Sequence, residues 1–407
     1  LTTPAEWLDF NAESPLAPLE QAFVAGRIEH DPHPELPFIG GWIGCLGYDA
    51  ARRIEPAVDR QHAVDDRHWP AAMFAWCPAA ILLDRVKNRA WLVGSADGAK
   101  QLAAQLDRAL ASMTESPSRA PRAMIEAVSP TTSDAEHRAA VERTIQYIAA
   151  GDIFQANITR RWSARFAGSP RAVWLAANEV SPAWFGALLE GPDKRSLVSM
   201  SPELFLRVDP RTREVVSRPI KGTRPARIDP DELRASEKDA AELHMIVDLM
   251  RNDLGRVCKF GSVRVREPRA IESHPTVHHG VAEVVGVLRE GRSIFDLLRA
   301  SFPPGSVTGA PKIRAMQIID ELEPGRRGPY CGAIGFVDRR GGLSMNVAIR
   351  TIAIHGDVLD YHAGGGIVAD SDPDAEVAES HAKAEVFRGM TERLRVSEKR
   401  DFGMLSA

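Results

Sequence analysis

The alternation of apolar and polar positions predicts a chain whose strands come in adjacent runs separated by amphipathic helices. We predict strands near residues 153–165, 183–190, 196–208, 213–219, 281–288, 331–337, 343–354 and 357–362. Helices are predicted near 16–26, 99–113, 133–151, 231–255, 293–301, 310–323 and 373–396, and a β-hairpin over 73–95. Because the strands do not alternate strictly with helices, the pattern favours the α+β class with large antiparallel or mixed sheets.

The same pattern divides the chain into regions. Residues 114–132 are rich in Ser, Thr and Pro and form the best linker candidate. Ser133 and Glu136 follow with the spacing of a capping box, which marks a helix start. We expect an N-terminal region over 1–120, a main domain over 130–396 and a C-terminal tail over 397–407. The chain begins with Leu1 and no signal peptide follows, so we expect it to start inside a longer gene product, with the N-terminal region truncated.

Composition and charge exclude several classes of protein. A 44% hydrophobic and 26% charged content over 407 residues is typical of globular proteins and excludes wholesale disorder. With 51 Lys and Arg against 55 Asp and Glu, we expect neither nucleic acid nor a membrane as partner. The longest apolar run, 71–83, is broken by Pro78 and is too short to span a bilayer. Four scattered cysteines without a CxxC pair predict a reducing, cytoplasmic environment.

Two acidic pairs have the spacing of one helix face. Asp239 and Glu242 lie three residues apart in one predicted helix, as do Glu376 and Glu379 in the last one. Each pair therefore places two like charges on the same side of its helix. Solvated surface faces are one interpretation. The other is that the two faces meet across a cleft and supply hard oxygen ligands to Mg²⁺.

A glycine run and an arginine could bind an anion. Gly364, Gly365 and Gly366 fall between a predicted strand and the last helix, where exposed N–H groups and positive φ values would form an anion-cradling nest. A tight strand-to-helix turn is the alternative. Arg350 ends the apolar segment 346–350, and its planar fork suits a carboxylate. A structural ion pair explains Arg350 equally well.

Three further segments carry groups suited to nucleophilic or acid–base chemistry. Lys221, between an isoleucine and a glycine, could enter a partly apolar cleft that favours the neutral, nucleophilic amine. Glu203 precedes an apolar strand, a suitable place for a general acid with a raised pKa. Solvated side chains are the alternative for both residues. His278 and His279 would point to opposite faces of a strand, so at most one shares a given site.

Taken in order, these segments resemble the chorismate-utilising enzymes, the family of anthranilate, aminodeoxychorismate, isochorismate and salicylate synthases. The resemblance covers residues 151–388, and the glycine-rich segment 37–49 is also similar to a strand of that family. Its specific stretches are Gly151–Asn157, Met245–Asp253, Ser306–Lys312 and Ala363–Ser371. The family implies large sheets packed as a sandwich with helices on the outside, and a chorismate-binding catalytic domain over 130–396.

Single residues separate the branches of this family. Isochorismate- and salicylate-forming members carry a lysine base where this chain has Gln155, which argues against water as the incoming nucleophile. Anthranilate synthases typically have Pro-Ile-Ala-Gly-Thr where this chain has Pro219-Ile220-Lys221-Gly222-Thr223. The lysine version marks the branch that replaces the 4-hydroxyl of chorismate by an amine, on the way to p-aminobenzoate and folate. Anthranilate formation is the alternative function, and a non-catalytic binding relative is a third.

The resemblance also implies the role of each candidate residue. Lys221 would be the nucleophile and Glu203 the general acid, while His279 matches an active-site histidine whose role is open in a branch that does not eliminate pyruvate. Mg²⁺ would be held by four carboxylates: Glu242, Glu379, Asp239 and Glu376. Substrate contacts would come from Gly222, Thr223, Tyr330, Arg350, Gly364, Gly365, Gly366 and Lys312. For Lys312, a simple helix start after Pro311 is the alternative.

The implied partners follow from the implied reaction. Chorismate would be one substrate and ammonia the other. Nothing in the chain resembles a glutamine amidotransferase or a lyase domain, so ammonia would come from solution or from a separate glutamine amidotransferase subunit. The product would pass to a separate aminodeoxychorismate lyase. The first segment of the tryptophan pocket of relatives is not present, so the resemblance carries over no tryptophan site.

Overall fold

The computed structural model describes residues 6–10, 14–28, 33–115 and 121–403, which form twenty β-strands and ten α-helices. The strands are β1 Glu6–Phe10, β2 Gly41–Leu46, β3 Ala72–Cys77, β4 Ala79–Asp84, β5 Arg89–Gly94, β6 Ala123–Ile125, β7 Ser129–Pro130, β8 Gln155–Gly168, β9 Ala187–Glu190, β10 Arg195–Ser199, β11 Leu204–Val208, β12 Glu214–Arg218, β13 Ile220–Pro225, β14 Arg264–Ser273, β15 Val277–Val287, β16 Gly309–Ala310, β17 Ala333–Asp338, β18 Leu343–Val347, β19 Thr351–His355 and β20 Val358–Ile367. The helices are α1 Ala17–Gly26, α2 Ala51–Ile54, α3 Ala96–Glu115, α4 Asp134–Ala149, α5 Pro170–Val180, α6 Pro230–Ala235, α7 Glu237–Gly255, α8 Ile294–Ser301, α9 Lys312–Leu322 and α10 Pro373–Gly403.

Two large sheets organise these strands, and the predicted α+β class is confirmed. A ten-stranded sheet has the order β1-β3-β2-β17-β18-β11-β12-β15, with β13 and β14 both pairing with β15. An eight-stranded sheet has the order β16-β8-β20-β19-β10-β9, with the short strands β6 and β7 on β8. Strands β4 and β5 form a separate hairpin. All the named pairs are antiparallel, and so the fold does not need the helical crossovers of a parallel sheet.

The two sheets pack as a sandwich with helices on their outer faces. A small core cluster, which includes Cys45 and Ile334 of the first sheet and Leu197 and Ala353 of the second, joins the inner faces. Helices α1, α7 and α8 cover the ten-stranded sheet, and α5 and α10 cover the eight-stranded one. Burial of apolar side chains in these layers supplies the main driving force for folding.

Two predicted strands are each broken into two, and the pieces belong to different sheets. Residues 196–208 form β10 in the eight-stranded sheet and β11 in the ten-stranded sheet. Residues 343–354 likewise form β18 and β19, which again lie in different sheets. Apolar alternation continues across each break because both pieces have a buried face, which is why the sequence pattern suggests one strand.

Other predicted elements differ in their bounds. The apolar run 71–83 is divided at Pro78, which has no N–H to donate, so β3 joins the large sheet and β4 the hairpin. The predicted helix 231–255 is two helices, and Ser236 caps the second. Part of the predicted linker pairs with β8 as β6 and β7, while residues 116–120 lie outside the described ranges. The domain boundaries stay a prediction.

The ends of the chain complete the description. Helix α10 continues past the predicted end at residue 396 to Gly403, and residues 1–5 and 404–407, which include Leu1, lie outside the described part. Among the helices of the described ranges, none is long and apolar enough to cross a bilayer.

Candidate active site

The two segments in which the chain passes from one sheet to the other, 200–203 and 348–350, run side by side and bring Glu203 and Arg350 near each other. The Val347 N–H donates to the Glu203 carbonyl at 3.0 Å, and the Met200 N–H donates to the Arg350 carbonyl at 2.9 Å. The Ser201 hydroxyl adds a third link, to the Val347 carbonyl at 2.6 Å. Arg350 takes a left-handed φ of 48°, which turns the chain between β18 and β19. A predicted acid and a predicted anion ligand therefore meet where the chain changes sheets.

Glu203 has the environment of a general acid. Its side chain is 3% exposed, and burial raises its pKa to about 7. Three groups oppose that shift: the Ser306 hydroxyl, the charge of Lys221 and the backbone N–H of Ile220. A carboxyl group with this pKa is partly protonated near neutral pH and can donate a proton to a leaving group.

Lys221 lies beside that acid on β13. Its Nζ is 3.8 Å from Glu242 Oε2, and both side chains are largely buried. The next residue, Gly222, has a φ of 82°, and a Cβ there would lie 2.9 Å from Asp239 Cγ. Glycine is needed because this φ disfavours other residues and the N-terminal turn of α7 approaches closely. The predicted nucleophile and one predicted acidic pair are thus brought together.

His279 is a neutral hydrogen-bonding group in this structure. It faces Thr223 across the β13–β15 pair, and the Thr223 hydroxyl lies 2.9 Å from His279 Nδ1. Burial, followed by the nearby charge of Arg350, lowers the pKa of His279 to about 3. The imidazole is therefore uncharged at neutral pH and cannot supply a cation to the cleft.

The three glycines do not form the expected nest. Gly364, Gly365 and Gly366 lie within β20, paired with Thr159, Ile158 and Asn157, and none of the three has a left-handed φ. Both sequence interpretations of these residues, the nest and the strand-to-helix turn, are wrong because β20 extends to Ile367. A Cβ on Gly366 would lie 2.2 Å from Gln155 Nε2 and 3.2 Å from Lys221 Nζ. The glycines instead make room for functional side chains.

We predict that Gly366→Ala lowers turnover of chorismate at least tenfold while the protein stays folded. The added methyl group must displace the Gln155 amide and crowd the Lys221 amine, at a cost of about 1–3 kcal/mol. Measurement of kcat and of the unfolding midpoint checks this. Gly389→Ala on α10 is the matched control, because no atom lies within 4 Å of its added Cβ. Equal kcat values for the two variants would contradict the prediction.

Three of the four predicted metal carboxylates, Asp239, Glu242 and Glu379, are paired with cations. Glu376 and Glu379 flank Gly365, whose Cβ would lie 2.7 Å from Glu376 Oε2 and 3.5 Å from Glu379 Oε1. Asp239 pairs with Arg224 at 2.8 Å. In the part of the chain that the structure describes, no three His, Cys, Asp or Glu side chains are grouped closely enough to hold a metal. Hard carboxylate oxygens around a side-chain-free position still fit Mg²⁺ chemically.

The two glutamates of α10 differ in their protonation. Burial raises the pKa of Glu376, an effect that the Ser371 hydroxyl opposes at 2.8 Å and the neighbouring Glu379 reinforces. Burial alone would raise the pKa of Glu379 as well. The positive charges of Lys383, 2.6 Å away, and of Lys238 and Lys221 outweigh burial, so the pKa of Glu379 is lowered. In the structure a lysine therefore offsets the charge of Glu379, whereas a hydroxyl group holds Glu376.

Arg350 and Tyr330 provide polar groups for an anionic substrate. Among the described residues the Arg350 guanidinium has no ion-pair partner, although burial lowers its pKa. A half-buried, unpaired guanidinium attracts a carboxylate strongly. Tyr330 is buried, and its ring stacks on His362 with the centroids 4.8 Å apart. Of the two interpretations of Arg350, the structural ion pair has no support here.

Lys312 has a different environment from the other candidates. Its Nζ donates to Asp253 Oδ2 at 2.6 Å and to the Ser301 carbonyl at 2.8 Å. These contacts anchor the start of α9 to α7 and α8, which favours the helix-start interpretation. Its assignment to substrate binding stays a prediction.

The structure adds residues that sequence reasoning did not assign. Ser306, in the turn before β16, lies near enough to Glu203 to lower the pKa of that carboxyl, and nothing in its local sequence indicates this proximity. Lys383 donates to the Gly364 carbonyl at 2.7 Å and pairs with Glu379. Its spacing of four residues from Glu379 on one helix could have revealed it.

Comparison with known proteins agrees with this geometry. The model of the chorismate binding enzyme family matches residues 3–389. Aminodeoxychorismate synthase component 1 of Klebsiella aerogenes is 37% identical over 389 residues, covering 93% of this chain and 83% of the relative. Anthranilate synthase component 1 of Thermus thermophilus is 39% identical over 363 residues, covering 86% and 78%. The crystal structure of anthranilate synthase component I from Streptococcus pneumoniae superposes with a TM-score of 0.83 at 28% identity, covering 96% and 90%.

The fold is a sandwich of two antiparallel sheets. A carboxylic acid, an amine and further carboxylates lie together where the chain passes between these sheets, as in an enzyme that acts on a small anionic substrate. The chain belongs to the family of chorismate binding enzymes.

Proposed function

We propose that this enzyme converts chorismate and ammonia to 4-amino-4-deoxychorismate, the aminodeoxychorismate synthase reaction that leads to p-aminobenzoate and folate. The observation that carries the proposal is the placement of the Lys221 amine between Glu242, at 3.8 Å, and Glu203, whose pKa burial raises to about 7. The relatives named aminodeoxychorismate synthase component 1 support the same reaction.

The chemistry requires an acid because hydroxide is a poor leaving group. Glu203, in its protonated form, donates a proton to the 4-hydroxyl of chorismate, which departs as water. The Lys221 amine attacks carbon 2 of the ring as that bond breaks, and a carbon–nitrogen bond to the enzyme forms. Ammonia then adds at carbon 4 and the lysine amine leaves carbon 2. Two allylic displacements thus exchange the hydroxyl for an amine and keep the enolpyruvyl ether.

The remaining residues would hold the dianionic substrate. Among the described residues the Arg350 guanidinium has no ion-pair partner, so it would bind one carboxylate, and the buried Tyr330 would add a hydrogen bond. Gly222 and Thr223 would contact the ring, and the glycines of β20 allow the close approach of Gln155, Lys221 and the α10 carboxylates to it. His279 forms a hydrogen bond with the Thr223 hydroxyl in its neutral form, and this role requires no charge on the imidazole. Lys312 would contribute only indirectly, through the start of α9.

Mg²⁺ is the proposed cofactor. Glu242 and Glu379 would hold it, with Asp239 and Glu376 beside them, and Lys221 and Lys383 would release the carboxylates with which they now pair. When bound, the cation screens the ring carboxylate and withdraws electron density from it. The α7 and α10 residues themselves contribute the charge and orientation of the site.

Ammonia would come from a glutamine amidotransferase subunit or from solution, and an aminodeoxychorismate lyase would take up the product. The name component 1 of the relatives is consistent with a partner subunit. A cytoplasmic location fits four buried cysteines without disulfides.

Product identification tests the proposed reaction. The protein is incubated with chorismate, Mg²⁺ and ammonium, and an aminodeoxychorismate lyase is then added. We expect p-aminobenzoate only after the lyase. Fluorescent anthranilate before its addition would support the alternative, which the Thermus thermophilus relative keeps open. Binding of chorismate without turnover would indicate a non-catalytic relative.

The pH dependence tests the general acid. Because Glu203 must be protonated and burial raises its pKa to about 7, we expect kcat to fall as the pH rises through about 7. Ser306 lowers the pKa of Glu203, so Ser306→Ala should move this alkaline limb to higher pH by about one unit. Steady-state rates between roughly pH 5 and 9, the pKa of Glu203 ±2, check both expectations. An unmoved limb in the variant would assign it to another group.

A further inference from the structure

A buried ion pair behind the cleft is not used by the proposed chemistry. Arg327 is 3% exposed and Glu323 is 6% exposed. The Arg327 Nε donates to Glu323 Oε2 at 2.8 Å and Nη2 donates to Oε1 at 2.6 Å. Thr159 also donates its N–H and its hydroxyl to Glu323 Oε1, at 2.8 and 2.9 Å. A buried pair repays its desolvation only with such complete hydrogen bonding, so this pair is held in one arrangement.

Arg327 joins two segments that are distant in sequence. Its Nη1 donates to the Val307 carbonyl at 3.0 Å, and its Nη2 donates to the Asn157 carbonyl at 2.6 Å. The ring of Tyr48 lies against the guanidinium, 4.6 Å from its carbon to the centroid. The planar fork therefore fixes the distance between the turn before β16 and strand β8.

Both segments carry groups of the cleft. Val307 directly follows Ser306, whose hydroxyl lowers the pKa of the Glu203 carboxyl. Asn157 lies two residues after Gln155, on the same face of β8, and Gln155 lies beside Gly366 and Lys221. The two carbonyls that Arg327 binds thus belong to the segments next to the predicted acid, Glu203, and the predicted nucleophile, Lys221.

We propose that Arg327, oriented by Glu323, is a positioning residue for proton donation: it fixes the Ser306 turn against β8 and so directs the Ser306 hydroxyl towards Glu203. The inference rests on the proposed function. A lysine at this position keeps the charge but reaches fewer acceptors than the five-donor fork, so the turn is held less firmly.

The test uses Arg327→Lys, Ser306→Ala and the double variant in the chorismate, Mg²⁺ and ammonium assay. We expect Arg327→Lys to lower kcat about tenfold with KM within about twofold, and to move the alkaline limb upward by about one pH unit, as Ser306→Ala does. In the double variant the limb should move no further, because both changes remove the same effect of the Ser306 hydroxyl on the Glu203 carboxyl.

Arg326→Lys is the matched control. Its neighbouring guanidinium pairs with Asp65 at 3.0 Å and makes no contact with Val307 or Asn157 among the described residues. We expect its alkaline limb to stay at the wild-type pH. If Arg327→Lys does not fold, Glu323→Gln decides, since its amide retains an oxygen for Thr159 and loses the charge that orients Arg327.

The outcomes separate the inference from the function. Folded Arg327→Lys or Glu323→Gln with lowered stability and an unmoved limb would show a merely structural brace and overturn the inference. Additive limb shifts in the double variant would also overturn it, because Arg327 would then act independently of Ser306. Absence of 4-amino-4-deoxychorismate from the wild type would instead refute the proposed function.

Discussion

Lys221→Ala should abolish the covalent intermediate and reduce turnover by about three orders of magnitude or more. The Lys221 Nζ lies 3.8 Å from Glu242 and would be 3.2 Å from a Cβ on Gly366, so the amine lies between α7 and the glycines of β20. Without it, ammonia would have to displace the 4-hydroxyl directly, without the two-step route. Loss of the nucleophile changes kcat far more than substrate binding because Arg350 remains.

Mass spectrometry of the intact protein checks this result. Wild type incubated with chorismate and Mg²⁺ in the absence of ammonia should gain the mass of chorismate minus one water, and Lys221→Ala should gain nothing. Lys259→Ala, which removes an exposed lysine, is the control and should retain the adduct. An adduct of unchanged mass and yield on Lys221→Ala would refute the assigned nucleophile.

Glu203→Gln should lower kcat by about 10²- to 10⁴-fold and remove the alkaline limb of its pH profile. The amide is nearly isosteric but has no acidic proton to donate to the leaving hydroxyl. Glu290→Gln, at an exposed glutamate, is the control and should keep both the rate and the limb. A substantial rate in Glu203→Gln with the limb intact would assign proton donation elsewhere.

The same substitution should change how stability depends on pH. The pKa of Glu203 is raised in the folded protein from about 4.5 to about 7. Its contribution to stability is therefore fully present below the unfolded value and is lost as the pH rises through the folded value. Relative to Glu203→Gln, the wild type should lose roughly 3 kcal/mol of unfolding free energy between pH 4.5 and 8. Denaturant unfolding at the two pH values measures this difference.

Much of the secondary structure could be predicted because it depends on local patterns. The capping box of Ser133 and Glu136 does start α4, with both of its hydrogen bonds formed. The helix containing Glu242 also lies where periodicity places it, although Ser236 divides that helix from α6. These features follow from side-chain burial and capping within a few residues. By contrast, Lys221 lies in β13, a separate strand beyond the predicted strand 213–219.

The glycine run shows where such reasoning stops. Three consecutive glycines are compatible with a nest, a turn or a strand, because glycine allows all of these conformations. The glycines adopt the strand conformation because they pair with β8 and because Gln155, Glu376 and Lys221 pack close to them. Those neighbours come from distant parts of the chain, so no local pattern reports them.

The sequence by itself determined the family, through motifs that name the acid, the amine and the acidic pairs, and it determined the near-neutral overall charge. The tertiary structure alone decided that Glu203 and Arg350 lie where the chain passes between two sheets. It also decided that Ser306 lies near Glu203 and that Arg327 binds the Val307 carbonyl next to it. The reason is physical: apolar alternation depends on which face is buried and is the same in either sheet. The pKa of Glu203 and the unpaired state of Arg350 depend instead on burial and on groups that only folding brings near.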